Sequence, residues 1–418
     1  MRYSRCMVAS TRILSLLVLL YCSIAPASCA EAEANAFHEF LDTSYRRHTG
    51  FEGSLEALRG FDRDDLSVED QLSYDLYAWY LRDQIFFRPI ALGDVSERDV
   101  LYADLLRHYT TRSSTPEEWF EVLLAEVERH RQAVDVLYDR LGIGGESMAE
   151  RRAEALAMNE WKARETGQSV TAEMQAYVDG AQRALREHFT YYPTESAVVT
   201  QVAGLSALAG FRWGSEAQGR PNQVQILPGR DGVPYYLRRT VSYHEAFPGH
   251  YVQELTQKLL TQLPEFRLKW GLTAYNEGWA LYGEQLAWDV GLYEGVDPLQ
   301  ELGFVESQLF RSAFAMADIA LHAIGWTQRE VEMFLIDTLG IGVTETCERV
   351  ARIVESPGAA AASYAGFHSF VTYRERARAS LGDRFRLIEY HDLVLQTGPV
   401  PMDFLEKIVD AYIAGYGT

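Results

Sequence analysis

The sequence predicts a mainly α fold with a few short β-strands set beside a cleft, and three observations carry that reading. From residue 31 to about 190, apolar residues recur three and four apart among charges, the period of helices with one buried face. Between about 190 and 240 the texture changes to short β-branched or aromatic runs bounded by Gly, Pro, Asn and Asp. From Arg239 onward the helical period returns. At 418 residues and 47% hydrophobic, the chain can bury a large core. The expectation is a helical scaffold half over 31–190 and a catalytic half over 191–418, also readable as one continuous domain over 31–418.

Taking the chain in order, Arg2, Arg5 and Arg12 lead into the apolar run Ile13–Leu20, and small residues follow through Ala30. This predicts a signal peptide over 1–30, cut after Ala27 or Ala30, with a lipoprotein leader anchored at Cys29 as the alternative. The expected location is therefore exported, periplasmic or extracellular. Past residue 30 the cysteine is Cys347, which rules out an internal disulfide in the mature chain. No second apolar run is long enough for a transmembrane segment. Loss of residues 1–30 would remove three arginines and no acid, moving the formal charge from −20 to −23. Such an acidic surface argues against nucleic acid or anionic membrane as partners.

In the scaffold half, helical periodicity covers Ala34–Arg47, Val68–Phe86, Pro116–Leu141 and Ser147–His188. Thr115-Pro116-Glu117-Glu118 is a helix start: Thr115 can cap, Pro116 fits the first turn, and the acids meet the positive end of the helix dipole. His38, His48, His108, His130 and His188 have no partners at ligand spacing, so they read as surface or satisfied core histidines. In the middle, Tyr191–Pro193, Ser196–Val202, Val224–Leu227 and Val233–Tyr236 read as strands, with turns at Gly210, Gly219–Asn222 and Arg230–Gly232. A small sheet there could form a cleft wall onto which an extended peptide adds.

The stretch Ser242–His250 reads Ser-Tyr-His-Glu-Ala-Phe-Pro-Gly-His. It holds two imidazoles able to bind a divalent metal and, at Glu245, a carboxylate able to take a proton from an attacking water. The plain structural reading of Ser242 and Glu245, three apart, is a capping box. In an unbroken helix residues 244 and 250 would lie about 120° apart, too far round to share one metal. Pro248 and Gly249 break that helix and can swing His250 back toward His244.

A third ligand is available downstream. Glu277 and Glu284 share a helix face about 10.5 Å apart along the axis, so one of them at most reaches a given metal. Glu277, followed by Gly278, suits the ligand role, and Glu284 a supporting hydrogen bond to a ligand. Further on, Phe310–Trp326 is mostly apolar but carries Arg311, Asp318 and His322 within about 20° of one line. Charges on such a helix are paired or face a cavity. The structural reading is a buried network. In the functional one Asp318 orients His322, and Arg311 offers its fork to a carboxylate.

These residues resemble a known group. His244-Glu245-Ala246-Phe247-Pro248-Gly249-His250, Glu277–Tyr282, Arg311 with Asp318, His322 and Gly325-Trp326-Thr327, Pro357-Gly358 with Tyr364, and Tyr390–Leu395 leading to Gly398–Pro401 match, in order and spacing, the bacterial "domain of unknown function 885" family. The likeness runs from about 190 to 410 and is looser over 31–190, where this chain looks shorter than usual. The resemblance implies a secreted or lipid-anchored, mostly helical protein similar to zinc metallopeptidases of the Glu-ligand type. By that likeness His244, His250 and Glu277 would bind one zinc ion per chain and Glu245 would be the base. His391 and Tyr364 match family positions and would donate to an oxyanion. Family members often carry a second histidine where this chain has Tyr251.

Together these readings lead to an expectation of peptide or amide hydrolysis on a small substrate. Arg311 as a carboxylate anchor would favour exopeptidase or dipeptidase action. Two alternatives stand beside it: a non-haem iron enzyme using the same two-His-one-carboxylate set, and a non-catalytic exported binding protein.

Overall fold

The computed structural model describes residues 27–416, apart from 98–99, 166–168, 206 and 230–231. Residues 1–26 of the expected leader, and the side chain of Cys29, fall outside the described residues. Its last four residues open the first helix.

Among the described residues, seven α-helices precede the sheet. They are α1 (Ala27–Arg47), α2 (Phe51–Leu58), α3 (Val68–Ala91), α4 (Tyr102–Thr110), α5 (Pro116–Leu141), α6 (Met148–Glu165) and α7 (Val170–Ala184). Helix α5 begins as its sequence dictates: Thr115 accepts from the Glu118 N–H, Glu118 reaches back, and Pro116 fills the first turn. Gly142, at φ 70°, ends it in the left-handed conformation that favours glycine. The run read as one helix over 147–188 is two, the second capped by Ser169.

The middle segment forms a three-stranded sheet of β1 (Val198–Gln201), β2 (Ala209–Arg212) and β3 (Gln223–Ile226), in the order β1-β3-β2. β3 pairs parallel with β1 and antiparallel with β2, which leaves β2 as an edge. Three expectations need correction. Tyr191–Pro193 forms no strand, the first strand starting only at Val198. Gly210 lies within β2 rather than at a turn, and Val233–Tyr236 is no strand: Pro234 starts a 3-10 turn that leads into the next helix.

The remainder is helical: α8 (Arg238–Glu245), α9 (His250–Leu259), α10 (Glu265–Lys269), α11 (Thr273–Asp289), α12 (Pro298–Ile319), α13 (Gln328–Leu339), α14 (Val343–Glu355), α15 (Ala362–Leu381), α16 (Leu387–Gln396) and α17 (Met402–Gly415). Thus the mainly α class read from the sequence is the class observed. One apolar cluster runs from Phe37 to Tyr412 through both halves. Helix α5 lies along α12, tied by Tyr138 to Glu306 at 2.9 Å and by a two-pronged Arg140–Glu301 pair at 2.7 and 3.0 Å. No helix among the described residues is long and apolar enough to cross a membrane.

Helices α11 and α15 touch backbone to backbone. A Cβ on Gly278 would sit 2.6 Å from Gly366, and one on Gly366 would sit 1.6 Å from the Ala274 carbonyl oxygen. Gly278 therefore serves a helix crossing directly behind Glu277, which fixes where α11 presents that carboxylate.

Candidate metal centre

The motif is built by breaking one helix into two. Helix α8 stops at Glu245, Ala246 leaves helical angles, the Phe247–Pro248 peptide is cis, and α9 resumes at His250. Gly249 makes the turn tight. Its N–H donates to the Tyr243 carbonyl at 3.0 Å, and a Cβ there would stand 1.8 Å from the His244 carbonyl oxygen. Helix α11 clamps the turn from behind: the Trp279 indole donates to the Pro248 carbonyl at 3.0 Å, and Gly283 leaves room for Gly249. The two imidazoles come to 5.0 Å between centroids, nearly perpendicular.

Ser242 is no cap. The helix starts four residues earlier, and its hydroxyl donates back to the Arg238 carbonyl at 2.8 Å. Glu245 is thereby free of the capping box expected from the sequence. It is buried at the cleft floor and accepts the N–H of Phe211 on β2.

Glu277 completes a triangle. Its two oxygens lie 3.6 Å from His244 Nε2 and 3.6 Å from His250 Nε2, and all three ligand atoms fall within 4.8 Å of one another. At 3.6 Å these pairs are too long for hydrogen bonds. A tetrahedral zinc ion with ligands at about 2.0–2.2 Å spaces them about 3.4 Å apart. The donor set and spacing thus fit a small divalent cation. On its far side, His244 Nδ1 donates to Glu284 Oε1 at 2.8 Å, which turns Nε2 toward the other two ligands. Ser307 and Gln308 of α12 each donate to the second Glu284 oxygen at 3.4 Å.

The charges are strongly coupled. Burial opposes a proton on His244, but Glu277, Glu284 and Glu245 outweigh it and lift its pKa to about 10. His250, buried and facing a charged His244, falls to about 4. Burial acts to raise Glu277, yet His244, His250 and Arg311 bring it down to about 2. Burial raises Glu245, with Glu277 and Glu284 adding to the rise and His244 and the Phe211 N–H opposing it. Without a cation the cluster holds a proton on His244, which a metal must displace.

An open cleft of about 1020 Å³ exposes this cluster. Along one wall runs β2, and Ser307 and Arg311 of α12 line it as well. Arg311 donates to Ser307 Oγ at 2.9 Å and stands 3.9 Å from Glu284 Oε1.

Four expected site residues lie elsewhere. Tyr364 is buried under α5 and donates to the Glu126 carboxylate at 2.6 Å. His391 is fully buried between the Tyr282 hydroxyl at 2.8 Å and the His188 carbonyl at 2.9 Å, stacked on Phe189. Neither lines the cleft, and with their polar atoms engaged in the core neither can serve an oxyanion there. Asp318 is on the same helix line as Arg311 but seven residues further along, about 10.5 Å. There it accepts the Gly358 N–H at 3.0 Å. His322 is not oriented by Asp318: α12 gives way to a π turn over Ala320–Ile324, and His322 Nε2 meets the Ile353 carbonyl at 3.1 Å while Asp318 stays 3.9 Å off. Ser307 and Gln308, four and three residues before Arg311 on the same largely buried helix, are functional neighbours that carry only that spacing as a sequence signal. The Phe211 contact has no sequence signal.

Among known proteins, residues 96–409 match a family model described as "Bacterial protein of unknown function (DUF885)". No curated protein matches the chain. The solved structures that share its fold include two of chains described as a "putative lipoprotein". One, from Colwellia psychrerythraea, is 22% identical with a TM-score of 0.66 over 94% of this chain and 77% of that one. The other, from Shewanella oneidensis and of unknown function, is 15% identical with a TM-score of 0.62 over 86% of this chain and 72% of that one.

Proposed function

The chain belongs to the bacterial DUF885 family, and on that premise we propose that it is a metal-dependent hydrolase, similar to zinc metallopeptidases of the Glu-ligand type, that cleaves peptide or amide bonds. The observation that carries the reading is the convergence of His244, His250 and Glu277 with Glu284 behind and Glu245 beside. Zinc held by those three side chains would supply a Lewis acid that acidifies water and polarises a carbonyl. Glu284 fixes the His244 ring, and the Gly249 turn fixes His250. Glu245 takes a proton from the attacking water and returns it to the leaving nitrogen, so that water's hydroxyl joins the carbonyl carbon as the C–N bond breaks. Burial of Glu245 raises its basicity for that exchange. A buried carboxylate next to the ligand set favours water activation over the oxygen chemistry of non-haem iron enzymes, whose two-His-one-carboxylate set needs no such base.

We also propose that the protein is exported, with a lipid anchor at Cys29 as the membrane-attached form. The leader-like residues 1–30 and the description of both structural relatives support this.

The test is metal analysis and peptide hydrolysis of the purified protein and of Glu245→Gln. The expected result is about one zinc per chain in both, with turnover lower by about 10² to 10⁴ in the variant. A metal-loaded Glu245→Gln protein that keeps full activity would sink the mechanism.

A further inference from the structure

Arg311 presents an unbalanced charge. Helix α12 is almost wholly buried, yet this side chain opens into the cleft, about a third exposed. A guanidinium carries five N–H donors in a rigid fork. Among the described residues its hydrogen bond goes to Ser307 alone, a neutral group. The nearest acid, Glu284, is 3.9 Å away and already takes His244, Ser307 and Gln308. A fixed positive charge this close to a cation site weakens metal binding, so its presence calls for an anion that shares the site.

We infer that Arg311, backed by Ser307, anchors the α-carboxylate at the C-terminal end of a peptide, making the cleft one that removes residues from that end. The inference rests on the hydrolase reading above. Its geometric basis is short range. The guanidinium is separated from His244 Nε2 by contacts of 3.9 and 2.8 Å and the width of one imidazole. A terminal carboxylate lies one residue, about 3.8 Å of chain, beyond the last peptide carbonyl. A peptide whose last carbonyl faces the two histidines thus brings its carboxylate to the fork, whereas an internal bond brings no charge there. Planar bidentate pairing suits arginine to a carboxylate. Hydrolysis of that last bond consumes one water and releases one amino acid.

Binding separates this idea from the hydrolase reading, because it can be measured without turnover. In zinc-loaded Glu245→Gln protein, calorimetry would compare benzoyl-glycyl-phenylalanine, its C-terminal amide, and benzoyl-glycyl-glutamate with an amidated C-terminus, whose carboxylate is in the side chain. The free acid is expected to bind about tenfold to a hundredfold more tightly than either amide. Adding Arg311→Gln should erase the difference at unchanged zinc content. Arg311→Lys, which keeps the charge and loses the fork, should retain only part of it. A mere counter-charge for Glu284 would alter zinc affinity and leave acid and amide alike. Equal binding of acid and amide, a preference that survives Arg311→Gln, tight binding of the side-chain carboxylate probe, or binding of none of the three would overturn the inference. In each of those cases the effect of Glu245→Gln on turnover still judges the hydrolase reading separately.

Discussion

Among the described residues, the histidines and acids of the sequence motifs occur in two kinds of setting, and the contrast between them defines the site. Around His244 the ligand atoms face one another at 3.6 Å, too far to bond and open to a cleft. At Asp318, His322, His391 and Tyr364, each in its own surroundings away from the cleft, Gly358, Ile353, His188, Tyr282 and Glu126 engage a polar atom within 3.1 Å. Burial beside polar residues is common to both and says nothing about chemistry. What differs is whether the side-chain atoms are spent on the protein's own backbone and side chains or left aimed at a shared point.

The sharpest way to break the contrast is to remove one residue of each kind. His250→Ala should abolish stoichiometric zinc binding and with it hydrolysis, because two ligands do not hold the ion at ordinary concentrations. Tyr364→Phe should leave zinc content and turnover unchanged and cost about 1 kcal/mol of stability, since only the hydrogen bond to Glu126 is lost. Zinc content, turnover and denaturant midpoint, measured on both variants, check the pair. Loss of turnover in Tyr364→Phe with normal zinc would return that hydroxyl to the reaction.

A smaller effect sharpens the boundary of the metal cluster. Glu284→Gln keeps the shape of the contact to His244 but removes the charge behind it, so zinc affinity should fall about tenfold to a hundredfold. Competition with a zinc chelator reads this directly, and an unchanged affinity would make Glu284 a packing residue.

Smallest in functional terms is the prediction for Asp318. Burial lifts Asp318 from 3.8 to about 7, against hydrogen bonds from Gly358, Tyr102, Ala360 and Ala361. A folded pKa above the unfolded one means that the contribution is fully present below about pH 4 and is lost as pH rises through 7. Asp318→Asn should therefore flatten the stability curve over that window, by a few kcal/mol at most. Zinc content at neutral pH should not change. Parallel curves for the two proteins across pH 4–8 would contradict this account of Asp318.

The same contrast explains how far the sequence could be read. Regular helices follow their apolar period, and the spacing His-Glu-x-x-Pro-Gly-His, with the break it demands, led to the observed turn because Pro248 and Gly249 have local backbone consequences. Glu277 stands out in the sequence beside Gly278, although that glycine serves the helix crossing with Gly366. Local rules mislead where the outcome depends on a distant partner. Ser242 looks like a cap only if the helix starts there, and Arg238 extends it backward. Asp318 and His322 share a line only if the pitch is uniform, and the π turn at Ala320–Ile324 changes it. His391 and Tyr364 stand in motifs matching the family, but motif order carries no information on which wall of a helix bundle a side chain meets. Gly210 reads as a turn residue and sits in an edge strand whose partner, β3, lies some fifteen residues on.

The most direct test of the central claim is X-ray absorption at the zinc edge on protein loaded with one equivalent of zinc. Two imidazole nitrogens at about 2.0–2.1 Å and carboxylate oxygen at about 2.0–2.2 Å are expected, and in His250→Ala, which does not retain the ion, that imidazole signature should be lost. An unchanged spectrum in that variant, or zinc that remains hexaaqua in the parent protein, would contradict it.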